Sequence, residues 1–152
     1  MLDLIHGRAR SRTGYSLIEI LTVIAIIAIL TAIAIPVYFG QREKAQDAAA
    51  KSVVRDAMTA VESVYADTHD FSAVDDSDLH ATEPSIAFVD AANAAVAPTA
   101  DAGENEVDWH GTGVTTYEIG SLSRSGRSFG VTVDKSTGGA TKFYVDGTVG
   151  GW

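Results

Sequence analysis

The residue with the most unusual setting in this chain is Glu19. It is the sole charged side chain between positions 13 and 39, in a run otherwise built from Ile, Leu, Val, Ala and a few small or aromatic residues. An acidic side chain within an apolar span costs a few kcal/mol on insertion scales, and such residues are functional by default. A carboxylate there can be protonated, reach toward an interface, or pair with a cation, and pairing lowers its cost most. Other groups that could do chemistry are weaker. Asp67, Asp70, Asp75, Asp76 and Asp78 form an acidic run beside His69 and His80, and Asp101, Glu104, Glu106 and Asp108 form a second. Neither matches the D-x-[DN]-x-[DN]-G calcium loop, and both read as solvated loops, so no metal site is assigned. The histidines are His6, His69, His80 and His110; none falls in a nucleophile elbow, a phosphate loop or an H-E-x-x-H pattern. No catalytic residue, enzymatic activity or cofactor is expected.

The element that must position Glu19 is the apolar run itself. A helix over residues 15–39 would span roughly 37 Å at 1.5 Å per residue, enough to cross a bilayer with some tilt. The run has no polar stripe, so it is not the one-sided helix of a soluble core. Pro36 predicts a kink or local break near residues 32–36, and Gly40 adds a further weak point. Thr31, Ala32 and Ala34 are small, which lets neighbouring helices approach closely.

Charge places the ends. The chain has 152 residues and a net charge of −9, and without Asp3, Arg8, Arg10 and Arg12 the remainder falls to −11. So acidic a surface argues against direct nucleic-acid binding. Arg8, Arg10 and Arg12 precede the apolar run and predict a cytoplasmic N-terminus, with the following domain outside. A competing reading is an ordinary secretory signal cut after Ala34, in the Ala32-Ile33-Ala34 pattern; it leaves Glu19 unexplained. With no cysteine, the chain has no disulfide, thiol nucleophile or thiolate metal site.

Gly14-Tyr15-Ser16-Leu17-Ile18-Glu19, preceded by arginines and followed by the apolar run, resembles the class III signal of type IV pilins and pseudopilins. The resemblance implies cleavage by prepilin peptidase between Gly14 and Tyr15, N-methylation of Tyr15, and retention of the helix. Glu19 then matches the family's acid one turn into the mature helix, and Pro36 its helix-kinking proline. Tyr15 departs from the usual phenylalanine but keeps the aromatic shape. Physically, Tyr15 and Glu19 lie four residues apart on one helix face. In a bundle of such helices each carboxylate can meet the freed amino group of a neighbour, which would set the stagger between subunits.

Downstream the pattern turns amphipathic. Val54, Ala57, Met58, Val61, Val64 and Tyr65 recur at spacings of three and four, predicting that residues 40–67 continue the helix with one buried face. Residues 68–113 read as a loop region, with a short strand over residues 86–89 and an exposed Ala-rich segment over residues 91–102. From Val114 the period becomes two: Tyr117 and Ile119, then Phe129, Val131 and Val133, then Phe143 and Val145, with turns at 124–126 and 135–139. The expected fold is α+β, pilin-like: a long N-terminal helix on an antiparallel sheet of three to four strands over residues 114–152. The expected organisation is a removed leader (1–14), a membrane and filament-core helix (15–39), its amphipathic continuation (40–67), loops (68–113) and the sheet with a tail that tucks Trp152 onto the domain.

These features favour a structural subunit of a type IV pilus: a single-pass membrane precursor that becomes an extracellular homopolymer. Its partners would be other copies of the chain, prepilin peptidase, the inner-membrane assembly machinery and, for the precursor, the membrane. A type II secretion pseudopilin shares every feature, and a tethered extracytoplasmic sensor that never polymerises is the third reading.

Overall fold

A computed structural model of the chain describes residues 14–152. Residues 1–13, with Arg8, Arg10 and Arg12 and the leader expected there, lie outside the described residues. Helix α1 spans Leu17–Thr68 and includes Pro36. The break expected near Pro36 does not occur: the helix assignment runs through it. The chain divides into a first unit ending at Phe39 and a second starting at Gly40. In the first unit every described residue is exposed, including the large apolar ones.

The second unit has its own core. One face of the latter part of α1 buries Val54, Ala57, Val61 and Val64 of the predicted stripe, together with Ala50, Val53 and Ala60 outside it, while the stripe's Met58 and Tyr65 are half-buried. Against it lies a six-stranded sheet: β1 (Ala87–Asp90), β2 (Glu106–Gly111), β3 (Thr116–Leu122), β4 (Ser128–Asp134), β5 (Thr141–Val145) and β6 (Thr148–Val149), in that spatial order. The alternation of the strands sends Val107, Trp109, Tyr117, Ile119, Val131 and Val133 into the core. Burying such side chains contributes about 1.5–3 kcal/mol each.

Two expectations are corrected. Residues 114–152 hold the expected antiparallel strands, four of them (β3–β6), but the whole sheet has six strands and is mixed, because β1 pairs parallel to β2 while the other pairs are antiparallel. The short strand expected over residues 86–89 is found as β1, and the rest of 68–113 is not simply loop: it holds β2, helix α2 (Asp76–Thr82) and two 3-10 turns, Phe71–Ala73 and Ala102–Glu104. The acids explain why. Asp70, Asp75 and Asp101 are N-caps whose carboxylates accept backbone N–H bonds from Ser72, Ser77 with Asp78, and Gly103 respectively. Asp76 accepts from the Trp109 indole at 2.6 Å.

Asp108, expected in a solvated loop, lies in β2 and is 2% exposed. Its Oδ2 accepts from the Thr99 amide, the Thr99 hydroxyl (3.1 Å) and the Ala100 amide (3.1 Å). That carboxylate draws residues 91–100 over the sheet face turned away from α1. Ala94, Ala95, Pro98 and Ala100 are buried there while Ala92, Asn93, Val96, Ala97 and Thr99 stay exposed, so the Ala-rich segment, expected to be exposed, is packed along one side. Gly120 and Gly130 make the close approach possible: a Cβ on either would lie 2.0 Å from the carbonyl oxygen of Ala94 or Ala95.

The tail closes the other side. Trp152 packs edge-on against Phe129 and Phe143, with the Arg55 guanidinium over its ring. Asp47 on α1 accepts from the Ser123 and Ser125 hydroxyls and so ties down the β3–β4 turn. These contacts hold the domain where a disulfide is impossible.

Candidate functional site

Gly14, Tyr15 and Ser16 lie just ahead of α1, outside the helix. The carbonyl of Ser16 accepts from the amides of Glu19 (3.0 Å) and Ile20 (3.2 Å), which makes Ser16 the N-cap. Glu19 reaches back: its Oε2 accepts from the Ser16 amide at 3.4 Å. This is the reciprocal half of a capping box, S-x-x-E, with the acid also favoured by the positive end of the helix dipole. The spacing Ser16-Leu17-Ile18-Glu19 is the sequence signature of this cap, a backbone role that the expectations for Glu19 did not include.

Beyond that first turn the rod carries little polarity. The hydroxyls of Thr22 and Thr31 donate to the carbonyls of Ile18 (2.8 Å) and Ile27 (2.6 Å), so both are satisfied within the helix. Ile, Leu and Val side chains here are roughly half to four-fifths exposed, from Ile35 at 48% to Leu17 at 83%. An exposed apolar surface of that extent marks a membrane or protein contact. By length and composition the helix is apolar enough to cross a membrane.

The residues predicted to act together are thus placed as follows. Gly14 and Tyr15 are exposed and precede the helix, and Tyr15 is 80% exposed. Glu19 sits in the first turn of α1. Pro36 lies inside the helix well away from them. A Cβ on Gly14 would meet nothing within 4 Å. Nothing among the described residues imposes a glycine at that position. Among the described residues, no group of three or more His, Asp or Glu side chains is placed to hold a metal ion.

A family model described as the prokaryotic N-terminal methylation motif matches residues 9–35. The match covers the arginines Arg10 and Arg12, the Gly14-Tyr15 pair, Glu19 and most of the apolar run. Comparisons with curated proteins and with solved structures return no match. With a basic lead-in, a capped acid in the first turn and an apolar helix behind it, the chain carries the class III signal peptide of type IV pilins and pseudopilins.

Proposed function

We propose that this chain is a pilin, the structural subunit of a type IV pilus. The observation that carries the reading is the methylation motif running directly into a helix with Glu19 as its one charge before residue 40. Prepilin peptidase cuts between Gly14 and Tyr15 while the precursor sits in the membrane, N-terminus in the cytoplasm. The requirement for glycine at 14 then comes from the peptidase, since nothing among the described residues demands it. The new amino terminus of Tyr15 is methylated and remains a cation. Extracted from lipid, the apolar helices of many copies pack together, and the Glu19 carboxylate meets the Tyr15 ammonium of a neighbour. Excluding water makes such a pair worth more and an unpaired charge costlier, so register errors are disfavoured. Pro36 lies within the packed portion, where a missing N–H bond loosens the helix locally. The subunit is a building part of an extracellular polymer and not an enzyme.

The same motif belongs to pseudopilins, so the short pseudopilus of a type II secretion system is the second reading. Electron microscopy of sheared surface material, with peptide identification, separates the two. Long filaments containing this chain support the pilus. Absent filaments together with lost protein export on deletion support the pseudopilus. A mature protein still starting at Met1 overturns both.

A further inference from the structure

The sheet face turned away from α1 is only half roofed. Residues 91–100 cover Asp108, Gly120 and Gly130. Beside that roof lies an open trough of about 400 Å³, walled on its far side by the β4–β5 loop at Gly138 and Gly139. Its floor follows from strand register. Glu118 on β3 stands directly opposite Thr132 on β4, which stands directly opposite Lys142 on β5. With strands about 4.8 Å apart, the backbones that carry the acid and the amine run about 9–10 Å apart on either side of the threonine.

Three facts about that row are unexplained by the fold. The Thr132 hydroxyl is buried with no hydrogen-bond partner. Neither Glu118 nor Lys142 has a side-chain hydrogen bond or ion pair among the described residues, although Lys142 lies near enough to Asp134 to help hold that carboxyl low. Tyr144, opposite Gly130, puts an aromatic ring at the margin of the same trough. A buried hydroxyl without a partner destabilises a fold by about 1–3 kcal/mol, so its retention calls for a role.

We propose that this trough binds a neutral pyranose sugar. The lining mixes charges, two carboxylates (Glu118 and Asp134) against one ammonium (Lys142), so an anion is repelled by the acids and a cation by the amine, whereas a hydroxyl can donate to the first and accept from the second. A ring hydroxyl can donate to the Glu118 carboxylate while another accepts from the Lys142 ammonium, and both are charge-assisted bonds. A third hydroxyl reaches Thr132 once the long, exposed Lys142 side chain swings aside. The apolar C–H face of a pyranose packs on Tyr144, as small polar ligands pack on the aromatic walls of their sites. The span of about 10 Å and the trough volume match one or two sugar rings. This site is independent of how the N-terminal helix is processed or assembled.

The test uses the full chain in a sugar-free detergent and saturation-transfer NMR. The probes are methyl glycosides of glucose, galactose and mannose, standing for a terminal unit of a glycan, and the free hexoses, standing for a solute. At least one probe should receive saturation, and preference between the two sets identifies the source. Thr132→Val keeps the shape and removes the hydroxyl. It should weaken binding at least tenfold while raising the thermal midpoint by a few degrees, because an orphaned polar group is gone. Lys142→Met should weaken binding similarly, and Asp56→Asn, on the opposite side of the domain core, should leave it unchanged. No transfer to any probe, undiminished transfer in Thr132→Val, or a lowered midpoint in that variant would each overturn the proposal.

Discussion

The phenol of Tyr117 donates a 2.9 Å hydrogen bond to Glu62 Oε1, joining β3 to α1 at the centre of the domain. The other oxygen of Glu62 is paired with Lys135, whose ammonium also lies over the ring of Tyr65 at 5.0 Å. One carboxylate thus ties the helix both to a core strand and to the β4–β5 loop. Burial, followed by the charge of Glu62 and the hydrogen bond to it, pushes the Tyr117 phenol well above its usual pKa.

The sign of the resulting pH dependence is fixed. The folded state holds the Tyr117 proton more tightly than the unfolded chain does, so its contribution is complete below the ordinary value of 10.0. Above that pH the unfolded chain ionises first and stability falls. Thermal unfolding between pH 9 and pH 11 should show a decline that is shallower in Tyr117→Phe. At pH 7 the same variant should cost about 1.5 kcal/mol, the usual contribution of a hydrogen bond to a charged group. A Tyr117→Phe protein with the parent's alkaline decline would contradict this.

The acid limb rests on different residues. Asp75 is held below its usual carboxylate value by the Ser77 hydroxyl first and the Asp78 amide second. Asp134 is held low chiefly by the side chain and amide of Ser136. For groups with depressed folded pKa the contribution is present above the unfolded value of 3.8 and disappears as the pH drops further. Asparagine keeps an acceptor for the cap and cannot titrate. The double variant Asp75→Asn, Asp134→Asn should therefore unfold with a weaker dependence on pH below about 4. Chemical denaturation at pH 5, 4 and 3 reads the difference directly.

The readable parts of this chain were those where one physical rule dominates. The apolar run, the stripe from Val54 to Tyr65 and the strands around Ile119, Val131 and Phe143 each carry a clear period, and each is found as expected. Strand β2 was hidden because its sequence, Glu106-Val107-Asp108-Trp109-His110, looks like an acidic loop. Its alternation puts Val107 and Trp109 in the core, but the intervening acid is buried by a roof that comes from elsewhere in the chain. No local pattern states that Asp108 will find the amides of Thr99 and Ala100. The same holds for Gly120 and Gly130, whose lack of a side chain has a reason only when the roof is in place. At the N-terminus the S-x-x-E spacing of Ser16 and Glu19 is itself the signature of the bond from the Ser16 amide to Glu19, and the apolar setting of the acid masks it.

The roof yields a sharp test. A methyl group at position 130 would stand 2.0 Å from the Ala95 carbonyl oxygen and 2.6 Å from its carbon, and neither is a flexible tip. Gly130→Ala should cost about 3 kcal/mol or release residues 91–100 from the sheet. Hydrogen exchange at the Thr99 and Ala100 amides distinguishes a displaced roof from a globally weakened domain. Unchanged stability together with unchanged exchange would mean that the close approach of Ala95 to β4 is wrong.

Glu19 has two separable duties, and one substitution tells them apart. As an acceptor it takes the Ser16 amide and finishes the helix start. As a charge it is the proposed mate of the Tyr15 ammonium on a neighbouring copy. Glu19→Gln keeps a carbonyl oxygen within reach of the Ser16 amide, so the helix start and the membrane precursor should survive. The leader should still be removed, and mass spectrometry should find a methylated Tyr15 at the mature terminus. What is lost is the anion, and an ammonium left without one inside an apolar bundle is strongly disfavoured. Filament yield should drop at least tenfold, and Glu19→Ala should lose filaments too while also weakening the cap. If Glu19→Gln assembles as well as the parent while Glu19→Ala does not, the capping bond and not the charge is what assembly requires.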